Sequence, residues 1–299
     1  MWFIPVGKIT THKNKTEFKS AHSSSIVDIT GYEIQDKQRT TNNYLNAAKF
    51  IILGKVNKFK KLTNCDKVLI VMGGKGNFRD DLPLFTKYKD RANSFRPVCL
   101  KEIRDLLATL YPVEYSVQCE ADDLISTWQY LGHKTKKRII VCTEDKDARQ
   151  TPGLLFNPRT ETITDCSGFG ELELQTKISS GLKPKKTYKV KGYGRLWFYF
   201  QCLAGDPVDT YHPFPKIYSD YKVYNLLINC KDDKDAWAVL VEEYKLHYGS
   251  ITKYTDWTGK THRGTWIDIL QNYVDVVHMR RWENDRVDVN NVLTKYNLI

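Results

Sequence analysis

Two short apolar runs, separated by helical patterns, constrain the fold of this chain most strongly. Lys67–Met72 is a continuous, largely apolar run that ends at two glycines, and Arg138–Cys142 is a second run of the same kind. Unbroken runs of this length are typical of strands buried on both faces of a parallel sheet. The stretches 97–110 and 121–132 repeat apolar residues at helical spacing. This alternation predicts an α/β fold with a central, mostly parallel sheet flanked by helices.

The rest of the chain fits this plan. Helical spacing predicts an amphipathic helix over 43–61 and an aromatic, buried helix over 196–203, while 154–164 reads as a short hairpin or a pair of edge strands. Three amphipathic stretches near 217–229, 233–247 and 265–278 follow. We therefore predict an α/β domain over residues 1–205 and a smaller, mainly helical lobe over 206–299.

The charge balance limits the kind of partner. The 299 residues include 46 Lys and Arg against 35 Asp and Glu, a net charge of +11, which favours a polyanion such as nucleic acid over a small neutral substrate. The seven cysteines form no C-x-x-C pair and are odd in number, which argues against a zinc site and a disulfide framework and fits a reducing cytoplasm. The apolar start is too short for a signal peptide, and no run is long enough to cross a membrane.

Three acidic motifs are the candidate chemistry. Taken alone, the Glu120–Asp123 run is better explained as the acidic first turn of a solvated helix. Further carboxylates follow a predicted strand end and the aromatic helix, and the carboxyl ends of parallel strands share one edge of a sheet. Seven carboxylates could therefore converge, and such a cluster calls for divalent cations, Mg²⁺ or Mn²⁺, two of which would activate water against a phosphodiester. These are Glu120, Asp122, Asp123, Asp145, Asp147, Asp206 and Asp209.

The order and spacing of these motifs resemble those of the phage and bacterial 5′-nucleases of the flap endonuclease superfamily, whose core is similar to that of PIN domains. The matching segments span roughly residues 65 to 210. They are Glu120-Ala121-Asp122-Asp123, Thr143-x-Asp145-Lys146-Asp147, Gly205-Asp206-x-x-Asp209, and, upstream, Asn77-Phe78-Arg79-Asp80-Asp81-Leu82 with Tyr88-Lys89-x-Arg91.

The resemblance implies roles for individual residues. It implies that Glu120, Asp122 and Asp123 ligate or orient a first Mg²⁺, that Asp145 and Asp147 bridge to it, and that Asp206 and Asp209 serve a second. Arg79, Lys89 and Arg91 would contact phosphates of the single strand and the scissile group, while Phe78 and Tyr88 would stack on unpaired bases. The basic run is either a further DNA contact or a solvated loop. It comprises Lys183, Lys185, Lys186, Lys189, Lys191 and Arg195.

The implied function is a 5′-to-3′ exonuclease or flap endonuclease that acts in phage DNA replication or recombination. It would cleave 5′-ended, single-stranded or branched DNA, with RNA primers as an alternative substrate, in the cytoplasm of the host and alongside replication proteins. The helical lobe would bind DNA.

Departures from the family pattern leave alternatives open. Gly74 stands where the family places a metal-binding Asp, and the first-strand Asp is either Asp28 or, if Met1–Gly7 is the first strand, absent. The motif after Asp209 contains two prolines in place of a Gly-x-Gly hairpin that grips duplex backbone. A catalytically silent DNA-binding member is therefore the rival, and an RNase of the PIN class a third possibility. A Gly74→Asp variant is expected to separate enzyme from binder.

Overall fold

The structure is a computed structural model that describes residues 7–12, 15–20, 26–28, 37–90, 100–178 and 186–299, with side chains from Leu45 onward except that of Lys177. The chain forms two compact units, residues 1–72 with 91–114 and residues 73–90 with 115–299. No helix among the described residues is both long and apolar enough to span a membrane.

The first unit contains an antiparallel sheet, two helices and the beginnings of two strands. In chain order the elements are β1 (Gly7–His12), β2 (Lys15–Ser20), β3 (Ile26–Asp28), α1 (Lys37–Thr63), β4 (Ile70–Lys75), α2 (Leu100–Leu110) and β5 (Val113–Val117). Strand β2 pairs with both β1 and β3, and α1 packs on α2. The amphipathic helix predicted over 43–61 is confirmed as part of α1, which ends with Lys60 and Lys61 near its carbonyl terminus.

Strands β4 and β5 run parallel. The Ile70 N–H donates to the Pro112 carbonyl at 2.9 Å, and the Gln118 N–H donates to the Lys75 carbonyl at 2.9 Å, so residue numbers rise together along the pair. Strand β4 begins three residues later than the apolar run and includes both glycines. A crossover containing α2 connects the two strands, as the alternation predicts.

The second unit repeats the pattern of strand, helix and strand. Its first elements are α3 (Ala121–Thr135), β6 (Ile140–Cys142), β7 (Leu154–Asn157) and β8 (Thr162–Asp165). Strand β6 pairs parallel with β7, which forms the predicted hairpin with β8. Two parallel strand pairs, together with the α-helices between β4 and β5 and between β5 and β6, confirm the predicted α/β class.

The described part of the basic run before the aromatic helix, from Lys186 to Lys191, is a strand and not the loop that its lysines suggest. β9 (Glu171–Ile178) and β10 (Lys186–Tyr193) form an antiparallel hairpin. Leu172 and Val190 are buried on one face of this hairpin, while Lys189 and Lys191 are exposed on the other. The alternation of leucine with charged or polar residues at 171–175 is the period-two signal that identifies the strand.

The C-terminal elements surround a helix that is buried almost all round. They are α4 (Arg195–Ala204), α5 (Asp220–Leu227), α6 (Asp233–Tyr248), β11 (Lys253–Thr255), β12 (Thr261–Arg263), α7 (Trp266–Val277) and α8 (Val289–Lys295). Helix α4 packs against α5, α6 and α7, and its aromatic residues belong to one hydrophobic core that extends to Leu293. The helices predicted over 217–278 are confirmed, and the domain boundary after residue 205 stays a prediction.

Candidate metal centre and its surroundings

Asp145 and Asp147 follow the carboxyl end of β6 on a turn built by side-chain capping. The Thr143 hydroxyl accepts a hydrogen bond from the Asp145 N–H, and Asp145 Oδ1 accepts one from the Asp147 N–H, both at 3.0 Å. Asp147 then opens a short 3-10 turn over Asp147–Gln150. The two carboxylates are therefore fixed at the strand edge where functional groups of parallel sheets gather.

Asp206 and Asp209 lie on a tight turn that ends α4. Gly205 has φ +70°, and a Cβ there would lie 2.6 Å from the Tyr211 carbonyl, so this position requires glycine. Asp206 and Tyr211 exchange backbone hydrogen bonds of 3.0 and 3.2 Å, while Asp206 Oδ1 accepts the Val208 N–H at 2.8 Å. The turn thereby places both carboxylates on one side.

Three of the predicted ligands converge. Asp147, Asp206 and Asp209 each offer one carboxylate oxygen, and these atoms lie within 4.8 Å of one another. Asp206 and Asp209 are buried, with 3% and 7% of their surface exposed. We call these three residues the acidic cluster. Oxygen donors at this spacing, from a site with few neutralising partners, fit a hard divalent cation.

The electrostatics of the cluster show incomplete neutralisation. Burial, and then the charge of Asp145, raise the pKa of Asp147 to about 7, although a hydrogen bond from the Gln201 amide and the charge of Lys146 oppose this. Burial and Asp145 likewise raise the pKa of Asp122 to about 6. Asp122 and Asp147 are therefore both within electrostatic reach of Asp145. Carboxylates with raised pKa values in one cleft are candidates for cation binding.

Two lysines supply the cations nearest to these carboxylates. Lys146 Nζ lies 2.8 Å from Asp206 Oδ2. Lys89 Nζ lies 2.5 Å from Glu120 Oε1 and 3.5 Å from Asp209 Oδ2. Burial lowers the pKa of Lys89, but Glu120 outweighs this, so that the lysine stays charged. Lys146 stands within the matched motif, yet the sequence alone gave it no role, and nothing in the sequence singled out Gln201.

The segment that carries Lys89 is fastened to the turn that carries Asp209. The Lys89 N–H donates to the Asp209 carbonyl at 2.8 Å, and Lys89 itself has φ +47°. The Thr86 hydroxyl donates to the Thr210 carbonyl, and the Thr210 hydroxyl donates to the Lys87 carbonyl, both at 2.6 Å. The ammonium group is thereby held beside the acidic cluster by backbone as well as by charge.

Asp123 is bound differently from its neighbours in the same run. The buried Arg79 guanidinium donates to both of its oxygens, at 2.6 and 2.9 Å, and the N–H groups of Glu120 and Arg280 donate to them at 3.0 Å. Burial raises the pKa of Asp123, but Arg79 outweighs this and holds it below its ordinary value. Asp123 is also the reciprocal partner in the capping box of α3. Its oxygens are thus used within the protein.

Arg79 departs from the expected phosphate contact. Its side chain has no exposed surface, and its remaining N–H groups donate to the carbonyls of Val276 and His278 at 2.8 Å. The guanidinium therefore joins α3 to the end of α7 and has no surface to offer a phosphate.

The position of the missing carboxylate is closed by the backbone. A Cβ at Gly74 would lie 1.9 Å from the Ser116 carbonyl oxygen, and the Gly74 N–H donates to the Ser116 hydroxyl at 3.1 Å. Among the described residues, no atom lies within 4 Å of a Cβ at Gly73. Gly74 is therefore a packing requirement of β4 against β5, and a side chain there needs the strands to separate.

Of the other residues predicted to contact DNA, some are covered by protein groups and others are exposed. Tyr88 is buried, and its hydroxyl donates to Glu120 at 2.9 Å; the Arg280 guanidinium lies 3.4 Å from the centroid of the Phe78 ring. Neither ring is free for a base in this arrangement. Arg195 pairs with Asp233 at 2.7 Å. Lys186, Lys189 and Lys191 are exposed on β10.

Some predicted residues lie outside the described part. These are Arg91, Lys183 and Lys185; Asp28 ends β3, but its side chain is also outside it.

Comparison with known proteins gives a sequence relative and several solved structures, two of which are described below. No protein-family model matches the chain. Over 169 residues, 54% of this chain, it is 28% identical to a 5′-3′ exonuclease of Buchnera aphidicola subsp. Acyrthosiphon pisum (strain APS), and it spans about half (52%) of that relative's length.

The two solved structures are similar at lower identity. One is the T5 D15 protein co-crystallized with metal ions, with 14% identity, a TM-score of 0.47, and coverage of 89% of this chain and 93% of that one. The other is the T5 5′-exonuclease with a lysine-to-alanine mutation, with 13% identity, a TM-score of 0.46, and coverage of 86% and 89%.

Proposed function

This chain is similar to the 5′-nucleases of the flap endonuclease superfamily, and from that premise we propose that it is a divalent-metal-dependent nuclease that hydrolyses DNA phosphodiester bonds from 5′ ends. The observation that carries the proposal is the acidic cluster, whose three carboxylate oxygens lie within 4.8 Å of one another. A 5′-ended, single-stranded or branched DNA is the proposed substrate. A role in phage replication or recombination is part of the same proposal.

In this proposal the acidic cluster, together with Asp145 and Asp122, would hold Mg²⁺ or Mn²⁺. A bound cation of this kind supplies Lewis acidity and lowers the pKa of its water, which is the attacking group when phosphodiesters are hydrolysed. The Gln201 amide donates a hydrogen bond to Asp147, and Lys146 forms an ion pair with Asp206. The donor set fits the cation, because it is all oxygen and carries more negative charge than the two lysines neutralise.

Lys89 is the proposed contact to the scissile phosphate. Its ammonium group is held at the edge of the cluster by Glu120 and Asp209. A phosphate that enters would compete with these carboxylates for the ammonium N–H groups, and a fixed cation there stabilises the charge that develops on the phosphate. The Arg79–Asp123 pair fixes the first turn of α3, and this turn also carries Asp122.

The proposal is tested with a 5′-tailed duplex incubated with Mg²⁺ or Mn²⁺ and, separately, with EDTA. We expect cleavage that EDTA abolishes and that falls at least about 100-fold in an Asp145→Ala/Asp147→Ala variant, since both groups would hold the cation. Glu242→Ala, an exposed carboxylate on α6, is the control and should keep full activity. Undiminished cleavage by the double variant contradicts the proposal.

The second candidate is a DNA-binding protein without cleavage activity, and the closed position at Gly74 favours it. If it is right, the wild-type chain binds the tailed duplex and leaves it intact at every Mn²⁺ concentration. Preference for RNA over DNA in the same assay would instead indicate an RNase of the PIN class.

A further inference from the structure

The β11–β12 hairpin has two chemically different faces. Tyr254 and His262 lie directly opposite each other on the inner face, with ring centroids 5.4 Å apart, and Tyr254 is buried. Lys253 and Arg263 are the next opposing pair and are both exposed. Like charges directly opposite on a sheet are destabilising. Neither side chain pairs with a carboxylate in the part of the chain that the structure describes, so this face is suited to a polyanion.

The tip of the hairpin is held in one conformation by Asp256. Its Oδ1 accepts hydrogen bonds from the Thr258 N–H, the Thr258 hydroxyl and the Lys260 N–H, at 2.6 to 3.1 Å. Its Oδ2 lies 2.7 Å from His262 Nε2. The residue between these fixed points is Trp257, whose surface is 42% exposed. A tip fixed before binding loses little conformational entropy when a ligand docks.

Trp257 is connected by a short path to the acidic cluster. The backbone N–H of Trp257 donates to the Leu84 carbonyl at 2.9 Å. Lys87 Nζ lies 5.3 Å from the centroid of the Trp257 ring. Lys87 precedes Lys89 by two residues on the segment that Thr210 and Asp209 fasten. An aromatic face and a lysine on the approach to the cluster are the parts from which single-strand grooves are made.

We infer that the β11–β12 hairpin binds the single-stranded 5′ tail of the DNA, with Trp257 stacking on a nucleobase and Lys87, Lys253 and Arg263 contacting phosphates. This rests on the proposed function for the identity of the DNA. Trp257 takes the stacking role that the sequence suggests for Phe78 and Tyr88, because those rings are covered or buried, whereas 42% of the Trp257 surface is exposed.

The test measures binding without cleavage, by fluorescence anisotropy in EDTA, of the full chain to a 5′-tailed duplex and to a blunt duplex. Trp257→Ala should weaken binding of the tailed DNA about tenfold, in line with the loss of one stacked base, and leave the blunt duplex unchanged. Trp257→Phe should restore most of the loss. With an abasic tail the wild type and Trp257→Ala should bind alike.

Trp282→Ala is the matched control, because Trp282 is 47% exposed and its ring also lies near a cationic side chain, with the Arg281 guanidinium 4.5 Å from the ring centroid. Equal loss of tail binding in the two alanine variants, or no loss in either, would overturn the inference. Lys253→Gln/Arg263→Gln should lower the magnitude of the slope of log K against log salt by about 1.4, which corresponds to two single-strand phosphate contacts; an unchanged slope would contradict these phosphate contacts. If the wild-type protein binds the tailed DNA but never cleaves it in Mg²⁺, that result would contradict the proposed function and leave this inference standing.

Discussion

Asp123, Asp206 and Asp209 are buried and Asp147 is half-buried, but Asp123 and the acidic cluster are neutralised in different ways. Asp123 has a permanent partner, the buried fork of Arg79, and two backbone N–H groups. Asp147, Asp206 and Asp209 face one another, with the one close lysine contact of Asp206 exposed by 40%. The difference indicates which carboxylates serve the fold and which are left to hold an exchangeable cation.

Breaking the internal pair should have the largest effect. Arg79→Met leaves Asp123 buried without its partner, and we expect the free energy of unfolding to fall by about 3 to 5 kcal/mol. Arg286→Met is the control, because Arg286 makes the same forked contact to Asp275 but is 62% exposed; its loss should cost about 1 kcal/mol or less. Denaturant titration measures both. Similar losses would show that the Arg79 pair is not special.

The acidic run shows how far the sequence could predict the site. Glu120, Asp122 and Asp123 look alike in the sequence, and both interpretations of the run are physically sound: Asp123 caps the helix, while Asp122 faces Asp145. The choice depends on Arg79, which is 44 residues away, and on backbone from residues 276–280. Spacing along the chain carries no information on which carboxylate meets that guanidinium.

The fold could be predicted from the sequence more completely than the site. The apolar runs that became β4 and β6 and the helical spacing of α1, α3 and α4 are local signals, and they identified the α/β class. The closed position at Gly74 could not be predicted, because it depends on the approach of Ser116 from another strand. Trp257 is a single aromatic residue in a polar turn. Its role could not be predicted, because it depends on the hydrogen bond to Leu84, which is distant in the sequence.

Alanine substitutions at Gly73 and Gly74 should differ in their effect on the free energy of unfolding. Gly74→Ala places a methyl group against the Ser116 carbonyl, and we expect a loss of about 1 to 3 kcal/mol in the free energy of unfolding. Gly73→Ala, where the space is open, should change it by about 0.5 kcal/mol or less. Because of the same collision, Gly74→Asp should not raise cleavage. A stable, more active Gly74→Asp variant would contradict this packing argument.

The metal-free protein should also lose stability as pH rises from about 4 to 7. The pKa values of Asp122 and Asp147 are raised in the folded state to about 6 and about 7, so these groups bind protons more tightly when folded. Their contribution is complete below the ordinary carboxylate pKa and disappears as pH passes the raised values. Each pKa unit corresponds to at most about 1.4 kcal/mol. Because solvent screens these partly exposed groups, we expect a smaller loss, on the order of 1 to 2 kcal/mol across this window.

Denaturant titrations in EDTA at several pH values measure this loss, and Asp147→Asn should flatten the profile. Asp123, whose pKa is lowered, acts in the opposite sense and only below pH 4, where its stabilisation is lost as pH falls. A wild-type profile that is flat between pH 4 and 7 would mean that the cluster is neutralised without a cation.

The smallest expected effect separates a replaceable lysine from a permanent arginine. Lys146 lies 2.8 Å from Asp206 but is 40% exposed, so Lys146→Met should change the free energy of unfolding by less than about 1 kcal/mol. It should nevertheless tighten Mn²⁺ binding by about fivefold, because a positive charge beside the cluster opposes the incoming cation. Calorimetric titration measures the affinity, with Lys234→Met, an exposed lysine on α6, as the control. Weaker Mn²⁺ binding after Lys146→Met would mean that this lysine holds Asp206 in place, as Arg79 holds Asp123, and that the two regions differ in exposure alone.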